Sequence, residues 1–177
     1  EAAGAACVRK SYLDTNDIMG VSWQNQGFLN GSHLRYLGLL TSSSAQAKPT
    51  QSGRAVLAPL ESGAGLRLLT LADGTTAYVV EFRTATGQDA WMSSAPGWGS
   101  TGVTVRRETA GSTSFPLRES FLLDGDPSTA DVSFGALDAA LPRGSWIELA
   151  EGRLRVRLVS SSASGAVVDY EIGGIPA

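Results

Sequence analysis

His33 and Cys7 are the only imidazole and the only thiol in 177 residues. A catalytic zinc site needs three protein ligands drawn from His, Cys and carboxylate, plus an open position for water. No H-E-x-x-H occurs, so the helix that would set two imidazoles on one face with a general-base Glu between them is missing. A self-contained zinc site is not expected. Nucleophilic hydrolysis has no better footing. There is no G-x-S-x-G elbow, and a Ser–His pair would have to recruit His33, which the pattern puts inside a short helix. The ordinary role for His33 is a structural hydrogen bond from a partly buried helix position.

Two further groupings could carry function. DGDPSTAD, residues 124–131, offers Asp124, Asp126 and Asp131 to a hard cation such as calcium. It departs from the EF-hand pattern, with Ser128 and Thr129 where a third oxygen ligand and the turn glycine belong, and Asx turns around Pro127 account for the same residues. No calcium is expected on that basis. Trp23, Trp91, Trp98 and Trp146, with Tyr78 and Tyr170, could line a sugar-binding face, although aromatic side chains of a sandwich usually pack in its core or along its edges.

Charge and hydropathy narrow the partners. A net charge of -3 and a pI near 5.1, with 14 Lys and Arg scattered along the chain, leave no basic footprint for nucleic acid. No apolar run reaches the roughly 20 residues of a membrane span, and no signal-peptide pattern opens the chain. Because residue 1 is Glu and not Met, a processing or fragment boundary is expected there. Any disulfide partner of the single Cys7 would lie outside this sequence.

The elements that must position these residues fall into distinct stretches. Asn30 can cap a helix, Leu34 and Leu37 follow at i, i+3 spacing, and Gly38 can take the left-handed conformation that ends it, which predicts one short helix over residues 30–37. TSSSAQAKPTQSG, residues 41–53, has no apolar periodicity and reads as a linker or long surface loop. After it, strand-like runs recur between turn signals: RAVLAPL, LRLLTL, TAYVVEFR, GVTVRRE, SFLLD, SWIEL, LRVRLVS and AVVDYEI. Their β-branched and aromatic content predicts a mainly β fold, an antiparallel, jelly-roll-like β-sandwich over residues 54–177. Alternation is clearest in LRVRL, where Leu154, Val156 and Leu158 face one way and Arg153, Arg155 and Arg157 the other. No fixed-period repeat is present, which disfavours solenoids and propellers.

One stretch carries a likeness. DIMG, Asp17 to Gly20, followed by FLNGSHLRYLGLL, resembles the segment after the zinc helix in gametolysin-like secreted metallopeptidases, where a D-x-M-G turn precedes an N-A-x-H-K-x-x-L-G-W helix. Asn30, His33, Leu37 and Gly38 fall on the matching places. Downstream, AYVVEFRTATGQDAW is similar to that family's Y-x-V-E-Y-R strand followed by an Asp, GVTVRRE to its G-V-L-V-H strand, and SFLLDGDP to its L-L-D-x-x-P turn, all in one order. The departures are Leu34 for the usual Lys, Leu39 for the usual Trp, and Arg106 where a His is common. The family's H-E-x-x-H element would lie upstream of Cys7.

The resemblance implies that residues 1–40 are the end of a metzincin-type catalytic domain. Asp17, Met19 and Gly20 would form the Met turn that gives the zinc-binding imidazoles an apolar floor. Zinc would then belong to the full-length enzyme and not to this chain, which is expected to hold no catalytic metal and to cleave no peptide alone. The partners would be the upstream catalytic segment and a protein or peptide substrate, outside the cell. Gly20 is expected to adopt a conformation that side chains resist, and the stretch up to Leu40 to be held by few apolar contacts. The other reading is a non-catalytic extracellular β-sandwich that binds carbohydrate or protein.

Overall fold

The computed structural model describes residues 11–20, 25–40, 42–94, 101–109, 119–128 and 138–173. Its first regular element is α1, Gly31–Tyr36. Asn30 caps it through a side-chain oxygen that accepts the His33 amide at 2.9 Å, satisfying one of the free donors of the first turn. The end is a Schellman closure: Gly38 has φ +69°, its amide donates to the Arg35 carbonyl at 3.1 Å, and the Leu39 amide donates to the Leu34 carbonyl at 2.9 Å. Capping and stop signals thus act where the sequence predicts them.

Among the described residues nine strands follow: β1 Gln46–Ala47, β2 Gly53–Leu57, β3 Leu68–Asp73, β4 Thr76–Arg83, β5 Gly102–Thr109, β6 Glu119–Leu122, β7 Trp146–Leu149, β8 Leu154–Ser162 and β9 Gly165–Ile172. They form two sheets, ordered β1-β3-β4-β5-β6 and β2-β9-β8-β7. The fold is a mainly β, two-sheet sandwich, with β3 to β6 and β7 to β9 running as two antiparallel meanders. Each strand sends alternate side chains inward. Leu69 and Leu71, Tyr78, Val80 and Phe82, and Val103 and Val105 meet Ile147 and Leu149, Leu154, Val156 and Leu158, and Ala166 and Val168 in one core.

The 41–53 stretch differs from the linker expected of it. Gln46 and Ala47 pair with Leu68 and Leu69, the one parallel ladder among the described strands, and Ala45 is buried. Neither hydrophobic periodicity nor β propensity announces a two-residue strand; its pairing comes from the neighbouring sheet edge. Before it, α1 and its flanks pack on the outer side of the first sheet, where Leu34, Leu40 and Ala45 meet Leu60, Leu68 and Val79 in a second, smaller core. Among the described residues, no helix is long and apolar enough to cross a membrane.

Candidate functional site

Residues 14–20 fold into consecutive tight turns. The Asp14 Oδ1 atom accepts the Asn16 amide at 2.9 Å, Asp17 Oδ1 accepts the Met19 amide at 3.1 Å, and the Gly20 amide donates to the Asp17 carbonyl at 2.9 Å. Asx-type bonding of this kind supplies a local substitute for ladder hydrogen bonds. Side chains are resisted at Gly20, though its φ is not left-handed. A Cβ there would lie 2.0 Å from the Asp14 carbonyl oxygen, so the exclusion is close approach of backbone to backbone.

The turn is anchored from beneath. Asp17 is buried, and its Oδ2 accepts from Asn30 Nδ2 and lies 3.0 Å from Nδ1 of His33. Asn30 therefore caps α1 with one side-chain atom and grips the turn with the other. Burial pushes the Asp17 carboxyl up, but the His33 hydrogen bond, the Arg106 charge and the Met19 amide outweigh it, and the group ends below the ordinary carboxylate range. The single histidine is committed to this scaffold, and its side chain is 30% exposed.

A second layer reaches into the sheet. Thr70, Glu81, Arg83, Thr104, Arg106 and Glu108 stand on the outer face of β3, β4 and β5 and all are buried, with Asp14, Phe28, Gly31 and Arg35 bonded to members of the row. Arg106 donates through Nη1 to Asp14 and through Nε to Glu81 Oε1 at 3.2 Å. Burial would lower its pKa, but the Asp14 and Glu81 carboxylates reverse this and hold it charged, above its ordinary value. The other Glu81 oxygen accepts the Gly31 amide at 2.6 Å, at the first residue of α1. Arg83 pairs with Asp89 at 2.8 Å and donates to the Phe28 carbonyl at 2.5 Å, while Asp89 accepts the Phe28 amide at 2.7 Å. Arg35 reaches Glu108 and, at 2.9 Å, the Thr70 hydroxyl.

Buried ions of both signs, each bonded to its neighbours, join the second apolar core in holding the N-terminal segment on the sandwich. Breaking any one pair would strand a charge in low dielectric. Sequence reading missed Asp14 and Glu108, met Glu81, Arg83 and Asp89 only as places in the Y-x-V-E-Y-R likeness and its following Asp, and met Arg106 only as a departure from a family pattern. Nothing local marks these residues, since Asp14 and Arg106 are 92 positions apart.

Above this rigid base the segment turns apolar groups outward. Met19 is 68% exposed, and Tyr12, Ile18, Tyr36, Leu37 and Leu39 are exposed with it. These are six of the seven large exposed hydrophobics among the described residues, the seventh being Val56. Asp17, Met19 and Gly20 are thus brought together as one turn, with Asp17 facing inward and Met19 outward.

The remaining candidates do not assemble. Asp124 Oδ1 accepts the Asp126 amide at 3.1 Å, and Asp126 Oδ1 accepts from the Ser128 amide at 3.2 Å and from its hydroxyl at 2.5 Å, the Asx turns foreseen around Pro127. Asp131, Cys7, Trp23 and Trp98 lie outside the described residues. Among the described residues, no three His, Cys, Asp or Glu side chains are placed to hold a metal ion.

Of the described aromatic candidates, Tyr78 and Tyr170 pack with the core. Tyr78 is in the core, its hydroxyl accepting the Ala150 amide at 3.2 Å. Trp146 lies on the outer face of the other sheet with the guanidinium carbons of Arg155 and Arg157 4.5 and 4.7 Å from its ring centre, so ring surface that a sugar would stack on is occupied. Those arginines form the wet face expected of LRVRL and pair with Glu171 and Asp169. Compared with protein-family models, curated proteins and solved structures, the chain matches none.

Proposed function

We propose that this chain is the C-terminal part of a secreted zinc-dependent endopeptidase, supporting the zinc site through the turn at Asp17, Met19 and Gly20 and carrying an accessory β-sandwich. The observation that carries the reading is the outward, exposed Met19 on a turn locked by Asp17, Asn30 and His33, with other exposed apolar side chains on the same segment. A soluble chain gains nothing by stiffening a turn in order to hold a methionine in water. It does gain if a further segment closes over that methionine. In the proposed enzyme that segment is the zinc-binding helix, upstream of Glu1 and carrying the ligands and the general-base Glu. Bound there, zinc would supply Lewis acidity at the scissile carbonyl and an activated water. The chain's own residues contribute position and an apolar floor, and the chain alone is inactive.

The test uses Met19→Glu. In the isolated chain the residue is exposed, so the stability change should stay within about 0.5 kcal/mol. In the complete enzyme the new carboxylate would face the zinc site, and peptide cleavage should be lost while the sandwich still melts normally. Full activity of that variant, or the lack of an H-E-x-x-H in the reading frame upstream of Glu1, would remove the proposal.

A further inference from the structure

Between the turn segment and the sandwich runs a groove of roughly 410 Å³, within the usual range for small-ligand sites. Ile18, Phe28 and Leu39 supply apolar wall, Gln26 and Gln88 are exposed beside it, and Arg67 comes up from the loop before β3. Arg67 is the unusual member. The other buried or half-buried arginines described above are matched by carboxylates, whereas the Arg67 side chain has no carboxylate or hydrogen-bond partner among the described residues. Its Nε is buried and unbonded. An arginine in an apolar cleft without a counter-charge is complementary to a carboxylate, which its planar fork can engage with two parallel hydrogen bonds.

We infer that this groove binds the free C-terminus of a peptide ending in an apolar residue: the carboxylate on Arg67, the last side chain against Ile18, Phe28 and Leu39, and the preceding amides on Gln26 and Gln88. The two carboxamides decide between a peptide and a fatty acid. Each offers both a donor and an acceptor, which match a peptide bond and find nothing to bond on an acyl chain. Capture of a terminal carboxylate is a recurring mode of peptide recognition. The inference uses only this chain's residues; it shares Ile18 and Leu39 with the face invoked for the peptidase reading, but its test is read at Arg67, which that reading does not use, so the failure of one is distinguishable from the failure of the other.

The experiment titrates the whole 177-residue chain with acetyl-Ala-Ala-Leu as free acid, with the same peptide amidated, and with decanoate, following backbone amide resonances. The free acid should bind about tenfold or more tightly than the amide, with shifts centred on Ile18, Gly27, Leu39 and Arg67. Arg67→Gln should erase the difference between acid and amide at an unchanged melting temperature, because the side chain it replaces is unpaired. Arg67→Lys, which keeps the charge and loses the fork, should retain part of the preference. Equal binding of acid and amide, shifts elsewhere on the chain, tighter binding of decanoate, or no response at about 10 mM peptide would each overturn the assignment.

Discussion

Replacing Glu81 tests whether a buried ionic lattice holds the turn segment on the sandwich. Glu81 is fully buried and serves three neighbours: it accepts the Gly31 amide at 2.6 Å and Arg106 Nε at 3.2 Å, and it lies 3.9 Å from Arg83 Nη1. Glu81→Ala leaves Arg106 with Asp14 as its remaining bonded carboxylate and leaves the Gly31 amide unpaired. Breaking a buried ion pair costs about 3–5 kcal/mol, and orphaning a buried amide about 1–3 kcal/mol. The two losses share a site and are not additive, so about 4–6 kcal/mol is expected. That is a large part of the roughly 5–15 kcal/mol that keeps a domain folded. At about 2–4 °C per kcal/mol for a chain of this size, the melting temperature should fall by about 10–20 °C. Glu81→Gln keeps the volume and an acceptor for the Gly31 amide and should cost less. Urea unfolding gives the magnitude, and hydrogen exchange locates it. Amides of residues 26–36 should lose more protection than those of β8 and β9, because the lattice joins that segment to the sheet. Adding Arg106→Met to Glu81→Ala should cost less than the sum of the two single changes, since each alone strands the partner's charge. A loss below about 1 kcal/mol for Glu81→Ala, or evenly spread exchange, would refute the lattice as the anchor.

Gly20→Ala should destabilise by about 1–3 kcal/mol and loosen residues 14–20 in hydrogen exchange, because the added methyl collides with the Asp14 carbonyl; a neutral result would mean the turn is not held as described. At Gly38 a Cβ meets nothing within 4 Å, so Gly38→Ala should cost only the conformational penalty of φ +69°, about 1–2 kcal/mol, and a cost well above that range in urea unfolding would refute the open space around this position. Asp169 accepts hydrogen bonds from Arg54 and Arg157, which hold its pKa down to about 2 from the ordinary 3.8 against some opposing desolvation. A depressed carboxyl stabilises the fold above its unfolded value, and that stability is lost as pH falls through the folded one. Asp169→Asn should therefore flatten the stability profile between about pH 4 and about pH 2, by less than about 1 kcal/mol because both arginines are solvent-screened.

Local pattern was enough for much of the architecture. Alternation in LRVRL gave an inner row of Leu154, Val156 and Leu158 and an outer row of Arg155 and Arg157, because side-chain direction in a strand is set by backbone geometry alone. Asn30 and Gly38 marked the ends of α1 because capping is satisfied within a few residues. The likeness at DIMG drew attention to Asp17, Met19 and Gly20, which share one turn. The same alternation puts Glu81 and Arg83 opposite Tyr78, Val80 and Phe82, and a charged row of that kind reads as solvent-facing. Only the tertiary structure decided otherwise. The turn at residues 14–20 and the stretch at residues 28–35 meet that row and bring Asp14 to Arg106, Gly31 to Glu81 and Phe28 to Asp89. Strand periodicity states which side of a sheet a residue occupies and nothing about what covers that side. Covering is settled by buried polar contacts between residues 50 to 92 positions apart, and by the desolvation that penalises either partner left alone. The position of Arg67 was likewise invisible in the sequence, since an arginine without a bonded carboxylate among the described residues becomes distinctive only when Arg35, Arg83 and Arg106 are seen with theirs.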